Sequence, residues 1–204
     1  MKALNKKICW SRFFVFVVLL IPLVITLSCG GSTPSLNDYI NGGFEEKDSG
    51  NPDPDGWFPN RLPGLSNLVK FELENETAHS GEKSISISIT KAPSGKSTIY
   101  NWIKIIEGLK AKDIYELSGW IKTKKIANSP FIEIQFWNKK QNKLIAKVST
   151  LNQYPITGTS NWHNVKTTFT VPEATTRALI IAGITSGGNV GGKVWFDDIQ
   201  LKKL

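Results

Sequence analysis

Hydrophobic and polar residues alternate in short runs along most of the chain, from residue 66 to the C-terminus. Clusters of Gly, Asn, Pro and Ser separate the runs. None of the runs keeps the i, i+3, i+4 apolar spacing of an amphipathic helix. Nine strands are predicted, over 68–74, 83–90, 98–106, 114–123, 131–137, 143–148, 162–171, 177–185 and 193–202. So many short strands predict an all-β fold, a two-sheet antiparallel β-sandwich of the jelly-roll type.

The faces of three successive strands follow from their alternation, because side chains along a strand point to opposite sides of the sheet in turn. The residues predicted to point inward are Ile99, Ile103 and Ile105, then Tyr115, Leu117 and Ile121, then Ile132, Ile134 and Phe136. The residues predicted to point outward are Tyr100, Trp102 and Lys104, then Glu116, Trp120 and Lys122, then Phe131, Glu133, Gln135 and Trp137. Each strand therefore places one tryptophan on the face that its inward residues leave open.

Aromatic side chains beside Lys, Glu and Gln on an outer sheet face suit sugar rings, which need a flat apolar surface and neighbouring groups for their hydroxyls. The candidate carbohydrate-binding residues are Tyr100, Trp102, Lys104, Trp120, Glu133, Gln135 and Trp137. The alternative is that loops, or the N-terminal segment with Trp57 and Phe58, cover this face and make the tryptophans a second small core. For Trp120 the core interpretation is the favoured one.

The N-terminus predicts an export signal. Four basic residues precede an uninterrupted apolar run of fifteen, 13–27, which is shorter than the roughly twenty residues of a membrane-spanning helix. The following Ser-Cys-Gly-Gly-Ser resembles a bacterial lipoprotein signal, cleaved before Cys29 and lipidated on its thiol, and Gly30 resembles the variant destined for the outer membrane. The predicted organisation is a signal peptide (1–28), a lipidated Cys29 and tether (29–37) and a β-sandwich (38–204). An ordinary signal peptide or an uncleaved anchor is the alternative.

Charge and cysteine content narrow the choice of partner and of stabilising chemistry. Four of the 25 basic residues and none of the 17 acidic ones precede Cys29, so the full-chain charge of +8 falls to +4 after cleavage. This balance does not favour a nucleic-acid partner. The two cysteines both lie near the N-terminus, so neither a disulfide nor a structural zinc can stabilise 36–204.

Six sequence blocks together resemble the family 4/9 (CenC-like) carbohydrate-binding modules. They are Asn-Gly-Gly-Phe-Glu-Glu (41–46), Asp-Gly-Trp (55–57), Ser-Gly-Glu-Lys-Ser-Ile-Ser-Ile (80–87), Tyr-Glu-Leu-Ser-Gly-Trp-Ile-Lys (115–122), Trp162 with Thr-Thr-Phe-Thr-Val-Pro (167–172), and Val-Trp-Phe-Asp-Asp-Ile-Gln-Leu (194–201). The blocks stand in the family's order and span about 38–203, but 128–153 carries no family motif. The resemblance implies a galactose-binding-like jelly roll that binds polysaccharides such as β-glucans and xylans.

The same resemblance implies a structural calcium ion that joins the two ends of the fold. Carried over to this chain, Glu45 and Asp197 would supply carboxylate oxygens, with their neighbours Glu46 and Asp198 as alternative candidates, and main-chain carbonyls around 80–83 would complete the shell. Ca²⁺ takes six to eight oxygen ligands, so such a donor set suits it. The alternative is that Asp197 and Asp198 are only the polar end of a strand.

Catalytic motifs are weak. His79 and His163 are the only histidines in the sequence and have no zinc-ligand spacing, while Glu116 and Glu133, on the predicted open face, are the one candidate carboxyl pair for a glycosidase. The prediction is a non-catalytic, monomeric, exported module, lipid-anchored in the cell envelope at the outer membrane, that binds polysaccharide or oligosaccharide. The alternative is a protein-interaction or adhesion module on the same fold, and a polysaccharide hydrolase or lyase is the less favoured third reading.

Overall fold

The computed structural model describes residues 36–48, 50–61, 67–91 and 97–204. The predicted signal peptide and Cys29 lie outside these residues. One short helix and ten strands are present: α1 (Leu36–Ile40), β1 (Trp57–Pro59), β2 (Val69–Glu74), β3 (Ser84–Ile89), β4 (Ile99–Ile106), β5 (Ile114–Ile126), β6 (Phe131–Asn138), β7 (Lys143–Ser149), β8 (Gly158–Thr170), β9 (Arg177–Thr185) and β10 (Lys193–Lys203). All nine predicted strands are found, and β1 is an addition. No helix in the described part of the chain is long and apolar enough to span a membrane.

The strands form two five-stranded sheets, and every pairing between neighbours is antiparallel. Sheet A has the order β1-β4-β9-β6-β7, and sheet B has the order β2-β3-β10-β5-β8. The predicted all-β, two-sheet antiparallel sandwich is therefore confirmed. Most neighbours in space are distant in sequence, so the strand order could not be read from the chain.

The core lies between the inner faces of the two sheets. β6 contributes Ile132, Ile134 and Phe136, and β5 contributes Tyr115, Leu117 and Ile121, as their alternation predicts. β3 adds Ile85, Ile87 and Ile89, which alternate with serines that point to the other side of sheet B. This period of two fixes which side chains remain on the outer faces, where ligands have access.

β4 faces the opposite way from the prediction. Tyr100 and Trp102 are fully buried in the core, whereas Ile99 is 48% exposed. Phe71 packs edge-on against both rings, with centroids 6.5 and 5.6 Å away, and Trp102 Nε1 donates a hydrogen bond to the Ser86 carbonyl 3.1 Å away. Each set of β4 side chains is mostly apolar and has one polar member, Asn101 or Lys104, so alternation alone could not identify the inner set. The set with the larger aromatic residues, together with Ile106, fills the core, and Ile99, Ile103 and Ile105 lie on the outer side.

The N-terminal segment closes one end of the sandwich. Trp57 Nε1 donates to the carbonyls of Ile40 and Asn41 at 2.9 and 3.1 Å, and the Phe44 ring packs edge-on against the indole. Gly42 lies so close to β10 that an added Cβ would overlap the Ile199 carbonyl oxygen. The first described residues are thereby fixed against the last strand.

Candidate functional site

A groove crosses the outer face of sheet A, over β4, β9, β6 and β7, and is called the sheet A groove below. Its volume is about 220 Å³. It is lined by Asn60, Ile99, Asn101, Phe131, Glu133, Gln135, Lys147, Ser149, Leu151, Ile181 and Thr185. The mixture of aliphatic, aromatic and hydrogen-bonding side chains is the composition expected of a small-molecule site.

The floor of the sheet A groove is apolar. Ile99 and Ile181 come from β4 and β9, and the Phe131 ring reaches over from β6. The ring fits because its neighbour on β9 is Gly183, where an added Cβ would come 2.8 Å from Phe131 Cζ. A glycine at this position therefore creates the space in which the aromatic ring lies.

A chain of hydrogen bonds runs along β6 on the same face. Trp137 Nε1 donates to Gln135 Oε1 at 3.1 Å, and Gln135 Nε2 donates to Glu133 Oε1 at 2.8 Å. Lys147 Nζ lies 3.4 Å from the other oxygen of the Glu133 carboxylate, which is almost entirely buried. The polar groups are thus held in fixed positions beside the apolar floor, and the negative charge of the carboxylate is balanced.

Asn101 supplies an unused acceptor in the groove. Its side chain is 8% exposed, and its Oδ1 has no hydrogen-bond partner among the described residues. A buried carbonyl oxygen without a partner carries an energetic cost of about 1–3 kcal/mol. A ligand hydroxyl that donates to Asn101 would remove this cost.

The structure places the predicted carbohydrate-binding residues in four locations: the outer face of sheet A, the core, one end of β4 and the outer face of sheet B. Glu133, Gln135 and Trp137 lie on the outer face of sheet A, and the first two line the groove. Tyr100 and Trp102 point into the core, so their predicted outward orientation is wrong and neither can stack on a sugar. Ile99 and Asn101 line the groove but were not predicted to do so, because the prediction assigned the wrong face of β4 to the core.

Lys104 is a buried cation at one end of β4 rather than part of the groove. It is 6% exposed, and Gly56 leaves room for its ammonium group, which lies 5.1 Å from the centroid of the Tyr39 ring. Burial lowers the pKa of Lys104, and the charges of Glu46 and Asp55 oppose this shift. Its predicted outward position is therefore also wrong.

Trp120 lies on the outer face of sheet B, so it cannot join the residues of the sheet A groove. It is half-buried, and the His79 ring stacks on it with centroids 3.7 Å apart and planes 15° apart. The Trp162 ring packs edge-on against the same histidine. The outward orientation predicted from β5 is right, but one indole face is already covered.

The predicted metal ligands do come together, at a site called the carboxylate corner: Glu45, Asp197, Asp198 and the turn 79–83. Asp197 is fully buried and accepts hydrogen bonds from the backbone N–H groups of His79, Ser80 and Asp198. Glu45 Oε1 accepts from the N–H groups of Glu82 and Lys83 at 2.9 Å. The turn therefore presents N–H donors to these carboxylates, where the calcium prediction required carbonyl oxygens.

The other oxygens of the corner are occupied as well. Asp198 contacts His79 Nδ1 at 2.6 Å and accepts a hydrogen bond from Ser80 Oγ at 2.7 Å. Lys83 Nζ donates to the Glu45 carbonyl at 3.0 Å and lies 3.5 Å from its carboxylate. No group of three metal-ligating side chains occurs within the described ranges. Calcium binding stays a prediction from the resemblance, and this donor set does not fit it.

Asp197 has a strongly shifted acidity. Burial raises its pKa to about 7, the nearby Asp198 charge adds to the shift, and the three N–H donors oppose it. The Asp198 backbone has a φ of 48°, a left-handed conformation that turns its carboxylate toward the 79–83 turn. The corner thus ties β10 to the N-terminal half of the chain through charged hydrogen bonds.

The candidate catalytic pair is separated by the fold. Glu116 points outward from sheet B and pairs with Lys166 at 3.4 Å, whereas Glu133 lies on the outer face of sheet A. Two carboxyls that act on one glycosidic bond must face each other across it. These two lie on opposite outer surfaces, so they cannot form a glycosidase site.

Comparisons with known proteins agree with this architecture. The family 4/9 carbohydrate binding domain matches residues 36–186. No protein of curated function shows significant similarity to the chain.

Solved structures share the fold at low sequence identity. The enzymatically active domain of tailspike protein 4 of bacteriophage CBA120 superposes with a TM-score of 0.55 and 16% identity over 74% of this chain, which spans only 20% of that one. The carbohydrate-binding module TmCBM61, solved with β-1,4-galactotriose, gives 0.50 and 21%, covering 80% of this chain and 96% of its own. A xylan-binding domain of family 22 gives 0.50 and 13%, covering 79% and 92%.

The family match covers most of the sandwich and confirms the resemblance drawn from the sequence blocks. The matched model describes a carbohydrate-binding domain. The chain belongs to the family 4/9 carbohydrate-binding domains, and residues 36–186 form a non-catalytic carbohydrate-binding domain.

Proposed function

We propose that the sheet A groove binds a polysaccharide or oligosaccharide chain. The carbon-hydrogen faces of sugar rings would lie on the apolar floor, and their hydroxyls would exchange hydrogen bonds with the groups along β6. The observation that carries this proposal is the lining of the groove, in which an apolar floor of Ile99, Phe131 and Ile181 lies beside hydrogen-bonding side chains held in place along β6. A sugar hydroxyl is the donor that such a site is suited to receive.

Two partly exposed aromatic side chains are candidates for stacking on the bound chain. Phe58 is 41% exposed and pairs with Ile103 on the outer side of β4, while Trp137 follows Gln135 on β6. Trp137 is fixed by its hydrogen bond to Gln135, so stacking would need no reordering of the indole. Preorganisation of this kind favours affinity because little side-chain entropy is lost on binding.

The test is a calorimetric titration of the full-length chain in detergent against neutral glycans, including β-1,4-galactan and xylan. Asn101→Ala removes the unpaired acceptor, so it should leave the free energy of unfolding unchanged or slightly higher and weaken binding about tenfold or more. Trp137→Ala should weaken binding without unfolding the protein. Asn164→Ala is the matched control, because Asn164 is exposed on sheet B.

Normal binding by Asn101→Ala and Trp137→Ala, with loss in Asn164→Ala, would move the site to sheet B. An absence of binding to every neutral glycan would leave the sheet A groove without this function and favour a protein ligand on the same frame.

We also propose that the protein is exported and lipid-anchored in the cell envelope through Cys29. Support comes from the apolar run 13–27 and the Ser-Cys-Gly-Gly sequence that follows it. Metabolic labelling with an alkyne fatty acid should mark the wild-type protein and not the Cys29→Ser variant. Equal labelling of both proteins, or labelling of neither, would contradict the anchor.

A further inference from the structure

A second groove lies on the opposite side of the molecule, on the outer face of sheet B where β5, β8 and β10 meet. It is called the lysine groove below. Its volume is about 410 Å³, within the range of small-ligand sites. Lys122, Lys124, Lys125, Ser160, Asn161 and Trp195 are among its lining residues.

The charge of the lysine groove is not compensated. Among the described residues its lining contains no carboxylate, and Lys122, Lys124 and Lys125 form no ion pair. Lys193, next to them on β10, differs because Glu72 and Glu74 both lie within ion-pair distance of it. Three lysines that converge without an acidic partner form a site complementary to an anion.

Aromatic rings lie beside these lysines. The Lys122 ammonium is 5.9 Å from the ring centroids of both Trp162 and Trp195, and Lys193 is 5.1 Å from that of Trp195. Trp195 is 8% exposed, and its Nε1 donor has no partner within the described residues. The cation–π contacts hold Lys122 in place between the two indoles.

We propose that the lysine groove binds an anionic glycan, one whose sugars carry carboxylate or sulfate groups. The lysines would bind the charged groups, and Ser160 and Asn161 would bind hydroxyls. An anionic membrane surface could also attract these lysines, so vesicles that contain anionic lipids are included in the test. This inference does not depend on the sheet A groove.

The test measures binding of the full-length chain in detergent to matched polymer pairs, dextran sulfate against dextran and polygalacturonate against neutral galactan. The Lys122→Gln/Lys124→Gln variant should weaken binding to the charged member about tenfold or more. Lys139→Gln/Lys140→Gln is the matched control: it removes the same charge from exposed lysines that are distant in sequence and outside the lining of the groove. Thermal unfolding of both variants establishes that they remain folded.

Binding of either charged polymer, lost in the groove variant and kept in the control, supports the proposal, and the two polymers distinguish sulfate from carboxylate recognition. Equal loss in both variants would show an effect of net charge alone and overturn it. Binding only to vesicles with anionic lipids, or to no charged polymer, would also overturn it. Asn101→Ala should leave binding of charged polymers unchanged, so failure of this proposal is distinguishable from failure of the sheet A groove.

Discussion

The outer faces of the two sheets carry similar kinds of side chain, but they differ in whether the charged groups have partners of opposite charge. On sheet A, the Glu133 carboxylate is balanced by Lys147 and hydrogen-bonded to Gln135. On sheet B, Lys122 and Lys124 lie beside Trp195 with no carboxylate partner among the described residues. Each face combines an apolar or aromatic surface with hydrogen-bonding groups, but only the second leaves charge unbalanced.

Aromatic residues alone therefore do not determine which class of ligand a face of the sandwich binds. The sheet A groove offers fixed hydrogen-bonding groups whose charges are balanced by the Glu133–Lys147 pair, and these groups match hydroxyls. The lysine groove offers cations, which match charged substituents on a sugar. Whether a face prefers neutral or anionic glycans would therefore depend on whether its charged side chains are paired with each other.

The largest expected effect concerns the tryptophans of sheet A. Trp102→Ala should lower the free energy of unfolding by about 3–5 kcal/mol, because it empties a fully buried position packed against Phe71. Trp137→Ala should change it by less than about 1 kcal/mol, because that side chain lies on the outer face. Urea unfolding followed by circular dichroism measures both. Similar losses in the two variants would contradict the assignment of one indole to the core and the other to the ligand face.

The next effect is the pH dependence of stability that Asp197 gives to the carboxylate corner. The pKa of Asp197 in the folded state, about 7, exceeds its ordinary value of 3.8. Ionisation of Asp197 therefore destabilises the folded state. This destabilisation is absent below about pH 4, grows between about pH 4 and pH 7, and is complete above about pH 7. Wild-type stability relative to Asp197→Asn should fall across this window, as measured by urea unfolding at several pH values. A difference that is constant or rises with pH would be the opposite of the expected sign.

A smaller effect distinguishes the two grooves directly. Gly183→Ala should displace the Phe131 ring and cost about 1–3 kcal/mol of stability, because the new Cβ would lie 2.8 Å from the ring. Binding of neutral glycans should weaken, while binding of charged polymers at the lysine groove should persist. Loss of both activities in a folded variant would mean that the two faces do not act independently. Calorimetric titrations with each glycan class measure this.

The smallest expected effect is that of calcium. Because N–H groups and the Lys83 ammonium occupy the oxygens of Glu45 and Asp197, added Ca²⁺ should raise the melting temperature by less than about 1 °C. Thermal unfolding with millimolar Ca²⁺ and with a chelator measures this. A rise of several degrees, abolished in Glu45→Gln, would show that the corner rearranges to bind the ion.

The sequence predicts β5 and β6 well because their two faces differ in polarity. Glu116 and Lys122 alternate with Leu117 and Ile121, so only one assignment buries the apolar set. In β4 each set combines apolar side chains with one polar residue, so either assignment buries apolar side chains. The choice depends on Phe71 and Ser86 of sheet B, which contact the aromatic residues from across the sandwich.

Only part of the candidate site could be predicted, because alternation relates residues within one strand but not residues on different strands. Glu133, Gln135 and Trp137 share one strand, so their common face follows from a period of two, whereas grouping Trp120 with them required knowing which strands share a sheet. The residues of the carboxylate corner were correctly expected to meet. Whether a turn presents N–H or carbonyl groups depends on backbone dihedrals, which the motif does not reveal.

Carbohydrate binding in the sheet A groove is tested most directly by an NMR titration of the isotope-labelled protein with a neutral oligosaccharide such as β-1,4-galactotriose or xylohexaose. The largest shifts are expected in the side-chain amides of Asn101 and Gln135 and the indole N–H of Trp137. Little change should occur at the indole groups of Trp120, Trp162 and Trp195. Shifts confined to those three indoles, with the sheet A groove unaffected, would contradict the claim that the groove on sheet A is the carbohydrate-binding site.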